Sequence, residues 1–157
     1  MASRRKARII AFQALYSWEA SKVSVAELST FAWLDAEKKS SLDEATATFS
    51  RLLVAGAIEN IAAIDAMIVR HLKNWDFSRL NRVDLAILRM SAYALMFQDE
   101  VAPSIVIDEA VDISREYGTD DSYRFVNGVL DAIRKTLEAE RKSAGPRDAA
   151  GNRDATG

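Results

Sequence analysis

Four of the first eight residues are basic, Arg4, Arg5, Lys6 and Arg8, and they run straight into Phe12, Gln13 and Tyr16. These side-chain types suit an unpaired nucleic-acid strand. Guanidinium and ammonium groups neutralise phosphates, aromatic rings stack on bases, and an amide reads a base edge. A second grouping of this kind lies in GTDDSYRFVNGVLD, residues 118–131, where Arg124 and Phe125 are adjacent and Asp121 and Ser122 precede them. No comparable grouping points to catalysis. There is no G-x-x-x-x-G-K-[ST] or G-x-G-x-x-G phosphate loop. The one histidine, His71, sits between Arg70 and Leu72 without a serine in a tight glycine turn. The adjacent Asp120 and Asp121 fit a helix start, where free N–H groups need acceptors. Glu109 and Asp112 share a helix face but lack a third ligand for a metal pair.

The elements that must position these residues are helices. At about 100° per residue, Ala7, Ala11, Ala14, Leu15 and Trp18 fall on one side of a helix running from about Arg4 to Ala20, with Ser3 as its N-cap. Arg5, Ile9, Phe12, Gln13 and Tyr16 occupy a neighbouring sector, and Arg4 and Arg8 flank the core face on the side of Phe12. Cations at a helix N-terminus oppose the macrodipole. The expectation is therefore that they matter little for folding and much for binding, the alternative being a frayed, solubilising end. On the last helix, Val126, Val129, Leu130, Ile133 and Leu137 form the core stripe. Phe125 lies about 100° from that stripe. It is either a stacking platform or a ring packed against another helix.

Further helices are expected at about 25–34, with Leu28, Phe31 and Trp33 packed, and from Ser41 to about Leu72. Ser41 and Glu44 form a capping-box pattern there, a break falls near Gly56, and Phe49, Leu52, Leu53, Ile61, Ile64 and Ile68 make the core stripe. After a loop at 74–78, a helix from Ser78 to Gln98 is apolar around most of its circumference. It should be central, with Arg79, Arg82, Asp84 and Arg89 marking where it reaches the surface. Pro103 opens a helix that ends at Tyr117, with Gly118 at C′, and the last helix reaches about Arg141. The fold class is all-α with six or seven helices. Residues 1–142 form one domain, and 143–157 form a polar, disordered tail.

Composition narrows the function. The chain has 157 residues, no cysteine and a net charge of -2. Disulfides, thiol nucleophiles and thiolate metal sites are excluded, and no metal or cofactor is expected. No apolar run approaches the roughly 20 residues of a membrane span. Gln13, Ser17 and Glu19 break what would otherwise resemble a secretion signal, so a cytoplasmic protein is expected. Charge is segregated: residues 1–22 carry five bases and one acid, and residues 99–121 carry eight acids and one base. Two separate partners are one reading of that asymmetry, and solvated helix faces the other.

The runs RRKARIIAFQALYSWE, LNRVDLAILR, PSIVIDEAVDISREYG and DDSYRFVNGVLDAIRK occur together and in this order. In these runs the chain resembles the NusB family of bacterial transcription antitermination factors. The resemblance spans about residues 4–137. It implies two small helical bundles packed together and a role without catalysis. It implies binding of BoxA RNA in ribosomal RNA transcripts together with NusE, a small-subunit ribosomal protein, in a complex with other Nus factors and RNA polymerase. Carried over by position, it implies RNA contacts at Arg4, Arg5, Arg8, Gln13, Tyr16, Asp121, Ser122, Arg124 and Phe125, and a NusE contact at Asp84. Lys6 and the pair Ser122–Tyr123 depart modestly from the family pattern. Two other readings stay open: a NusB-like module related to an rRNA methyltransferase, which the chain's length and lack of cysteine disfavour, and a helical adaptor that binds only protein. A homodimer of the free protein, hiding the basic surface, is also left open.

Overall fold

The computed structural model describes residues 3–73 and 76–144. Among them the chain forms eight α-helices and one 3-10 turn, and no strand. The helices are α1 (Arg4–Ser21), α2 (Val25–Leu28), α3 (Ala36–Ser40), α4 (Glu44–Glu59), α5 (Ile61–Arg70), α6 (Arg82–Phe97), α7 (Pro103–Tyr117) and α8 (Ser122–Ala144), with the 3-10 turn at Phe77–Arg79 ahead of α6. α1 packs on α4 and α6, and α5 on α6, while α6, α7 and α8 pack pairwise. The two expected bundles therefore share α6 as a common wall. Ile87, Leu88 and Ala92 of α6 are fully buried, and one core unites residues of α1, α2 and α4 to α8.

Several boundaries differ from the sequence expectation, each for a local reason. The helix expected at 25–34 is a single turn. Phe31 adopts φ 58°, which ends the helical path and drops its ring into a small second core beside Ile10 and Ala47. The Trp33 indole N–H then donates to the Leu28 carbonyl at 2.9 Å. Ser41 does not start the long helix. It caps the unforeseen α3, and Asp43 caps α4 by accepting from the Thr46 N–H at 2.7 Å. The break falls at Asn60, not Gly56, and turns the chain by 75° between α4 and α5. Leu52, placed in the core stripe by spacing, is 59% exposed. Ser143 and Ala144, assigned to the tail, complete α8, and the rest of the tail and loop positions 74–75 lie outside the described residues.

Gly56 has a different job from breaking a helix. A Cβ there would come within 2.2 Å of the Tyr93 ring, so the absent side chain is what lets α4 and α6 approach. Gly56→Ala would force that ring outward and disturb its stack on Phe97, whose centroid is 5.5 Å away. Overpacking of this kind costs about 1–3 kcal/mol. The expected outcome is a lower denaturation midpoint with an unchanged slope, read by urea titration of the far-ultraviolet circular dichroism.

Candidate nucleic-acid interface

The start of α1 is pinned rather than frayed. The Ser3 hydroxyl accepts from the Lys6 N–H at 3.2 Å, and the Ser3 N–H donates to the Thr46 hydroxyl at 2.9 Å, which ties α1 to α4. The three candidate arginines then have three different environments. The Arg4 guanidinium lies 4.1 Å from the Phe49 ring centroid, a cation–π distance. Arg8 is 8% exposed and points toward the same ring at 5.7 Å. Burial pushes its pKa down, Glu109 offsets part of that, and Arg4 adds to the lowering. Arg5 reaches α7, with its Nη1 at 3.3 Å from Asp112 Oδ2 and 3.5 Å from Glu109 Oε2, and its Nη2 at 4.0 Å from Glu116. The basic end and the acidic segment thus meet each other within the fold. The expectation that these cations matter little for folding is corrected for Arg8, which is buried.

Further along α1, Phe12 is corrected as well. It is 3% exposed and packs on Tyr117 with centroids 5.1 Å apart, so it is core and not a stacking surface. Gln13 and Tyr16 line a groove of about 460 Å³ together with Trp33, Lys38, Val83 and Tyr117. Tyr16 is 41% exposed at that groove.

The start of α8 is built around Ser122, which is 1% exposed. Its hydroxyl oxygen accepts from the Thr119 N–H at 2.9 Å. Gly118 has φ -94°, so it is not a left-handed C′ residue. It is needed because a Cβ would lie 2.5 Å from the Ser122 hydroxyl and 2.7 Å from the Ser114 carbonyl. This tight turn aims Asp121, Arg124 and Phe125 into a groove of about 800 Å³, whose other wall is Arg79, Leu80, Asn81 and Asp84. Phe125 meets the packing alternative, with part of its ring left at the groove. It is half-buried, packs against the core, and still lines the groove. The Arg124 Nε donates to the Tyr123 hydroxyl at 3.0 Å.

Asp84 was expected to mark where this helix reaches the surface. It is 7% exposed, occupies the third position of α6 beneath the Asn81 cap, and shares the groove of Phe125. Burial pushes its carboxyl pKa up, with the Ser122 hydroxyl as a hydrogen-bond partner that offsets part of the shift. Its Oδ1 is buried without a hydrogen-bond partner. Arg89, also expected to mark the surface, is 4% exposed and bonds Asp65 and Glu19 instead. The two grooves draw on residues close in sequence: Val83 and Tyr117 line the first, and Asp84 and Thr119 line the second. Trp33, Lys38 and Tyr117 enter the surface unannounced, because only the fold brings residues so far apart together. Among the described residues no group of His, Asp and Glu side chains could hold a metal ion, and no single helix is long and apolar enough to cross a membrane.

The family model described as "NusB family" matches residues 5–135. The transcription antitermination protein NusB of Treponema pallidum (strain Nichols) is 51% identical over 133 residues, covering 85% of this chain and 93% of that protein. Among solved structures, T. maritima NusB superposes with a TM-score of 0.75 at 35% identity, covering 86% of this chain and 93% of that one. A crystal structure of the antitermination factors NusB and NusE in complex with dsRNA contains a chain with a TM-score of 0.75 at 32% identity, covering 85% of this chain and 96% of that one. By sequence over most of its length and by fold, this chain belongs to the NusB family.

Proposed function

We propose that this protein acts as a transcription antitermination factor that binds single-stranded BoxA RNA of ribosomal RNA transcripts together with NusE, and that this complex joins other Nus factors and RNA polymerase in the cytoplasm. The family is one of non-enzymatic antitermination factors, and no residue here is assigned a catalytic role. The observation that carries the RNA reading is the pair of grooves, one edged by Tyr16 and Lys38, the other by Arg79, Arg124 and Phe125. Aromatic walls flanked by cations are what unpaired bases and their phosphates require. A structural neighbour of this chain, in a crystal structure of NusB and NusE in complex with dsRNA, supports RNA and NusE as partners. Arg4 and Arg5 extend the cationic edge along α1, and Arg8 supports it from beneath. Gln13 and Asp121 supply hydrogen-bonding groups at the two grooves, while the buried Ser122 contributes by holding the turn that presents Arg124 and Phe125. Asp84 faces NusE as part of the wall it shares with Arg79 and Asn81, not as a free surface acid.

Titration of labelled BoxA RNA, a scrambled strand and a BoxA duplex, each with and without NusE, tests this. BoxA single strand should bind tightest and NusE should strengthen it. With about three or four phosphates engaged, log K should fall against log salt with a slope of roughly -2 to -3. Equal affinity for BoxA and scrambled RNA in the presence of NusE would sink the antitermination reading. NusE binding with no affinity for any RNA would favour the protein-only adaptor. A homodimer that hides the basic surface would appear as RNA affinity that falls as protein concentration rises.

A further inference from the structure

The cations of α1 face a row of acids on α7. Glu109, Asp112 and Glu116 are spaced three and four residues apart, so they stand on one helix face, and all three lie within 4.0 Å of the Arg5 guanidinium. We propose that this acidic row sets the RNA affinity of the protein by competing with phosphate for Arg5, an inference that rests on the RNA-binding reading above.

The geometry supports competition rather than a fixed strut. Arg5 is 46% exposed, and Asp112 and Glu116 are 48% and 53% exposed. Ion pairs this open add little to stability, so a phosphate can displace them. One guanidinium faces three carboxylates, and a phosphate that reached it would be repelled by those left unpaired. Glu109 Oε2 has the Arg5 ion pair at 3.5 Å but no hydrogen bond. Arg4 and Arg8 both lie over Phe49, which leaves Arg5 as the arginine whose charge the row governs most directly.

The test compares full-length variants in binding to fluorescein-labelled BoxA RNA. Asp112→Asn and Glu116→Gln should each tighten binding, and together by about three- to tenfold at low salt, with the gain shrinking as salt screens it. Asp108→Asn is the control. It changes the net charge equally on the same helix, but Asp108 lines a different groove with Arg134, and RNA affinity should not move. In an Arg5→Ala background the gain from the paired substitutions should vanish. An equal gain from Asp108→Asn, no gain from Asp112→Asn and Glu116→Gln, or a gain that persists without Arg5 would overturn the proposal. In each of those cases RNA binding by the wild type still stands. Absence of RNA binding by every variant would overturn the RNA reading and this inference with it.

Discussion

Arg89→Ala is expected to lower the unfolding free energy by about 3–5 kcal/mol, the usual cost of removing one partner from a buried ionic group. Arg89 leaves α6 with its Nε and Nη2 each 2.9 Å from an oxygen of Asp65 on α5, and its Nη1 2.6 Å from Glu19 on α1. Its guanidinium is also near the rings of Trp18 and Phe77, at 5.6 and 5.8 Å. Alanine would remove the cation that bridges these two carboxylates and open a cavity against two aromatic rings. Urea denaturation at neutral pH measures the loss. Its pH dependence carries a second signature. Burial alone would raise the Glu19 pKa, but hydrogen bonds from Arg89 and Lys22 outweigh it and hold the group below the ordinary carboxylate value. A lowered pKa contributes stability that is present above the unfolded value and lost as pH falls through the folded one. The variant should therefore lose less stability on acidification than the wild type. A variant with near-native stability would show that the three groups are solvated in solution.

Phe125→Leu should weaken BoxA binding by about 1–3 kcal/mol, the range for one base stacked on an aromatic ring, while the protein stays folded. Leucine is chosen because Phe125 packs partly against the core, and alanine would mix lost packing with lost stacking. Fluorescence anisotropy with BoxA RNA reads the affinity, and circular dichroism confirms the helix content. Binding unchanged within twofold would show that the ring serves only the α8 packing and would remove the second groove from the RNA path.

What could be read from sequence was whatever depends on periodicity over several turns. α1, α6, α7 and α8 have apolar stripes long enough to define a face, and their expected ends fall within a few residues of those found. Short-range events decided the rest. No periodic signal announces that Phe31 will enter the left-handed region, because that conformation is stabilised by burying its ring against Ile10 and Ala47. Ser41 satisfied a capping pattern, yet Asp43, two residues on, is the acceptor used. The candidate site shows the same division. Arg124, Phe125 and Tyr16 lie off the core stripes and reach grooves, while Phe12 turns inward against Tyr117 of α7 and Arg8 against Phe49 of α4. Asp84 and Arg89 were misread for one reason. A charge on an all-round apolar helix can be held by partners on distant segments, Ser122 for the first and Asp65 with Glu19 for the second, and pairings across such sequence distances are invisible to local pattern.

The shared position of α6 has a consequence for how the molecule responds to its ligands. A helix buried on every side from Asp84 to Ala92 cannot be surrendered by one bundle without stripping a wall from the other. Partial melting is thereby disfavoured, and the chain should behave as one thermodynamic unit rather than two loosely tethered ones. Ligand energy gained at the α8 turn would then protect α4 and α5 from opening as effectively as it protects α8 itself. In hydrogen exchange, occupancy of one edge would be visible as slowed exchange throughout the interior.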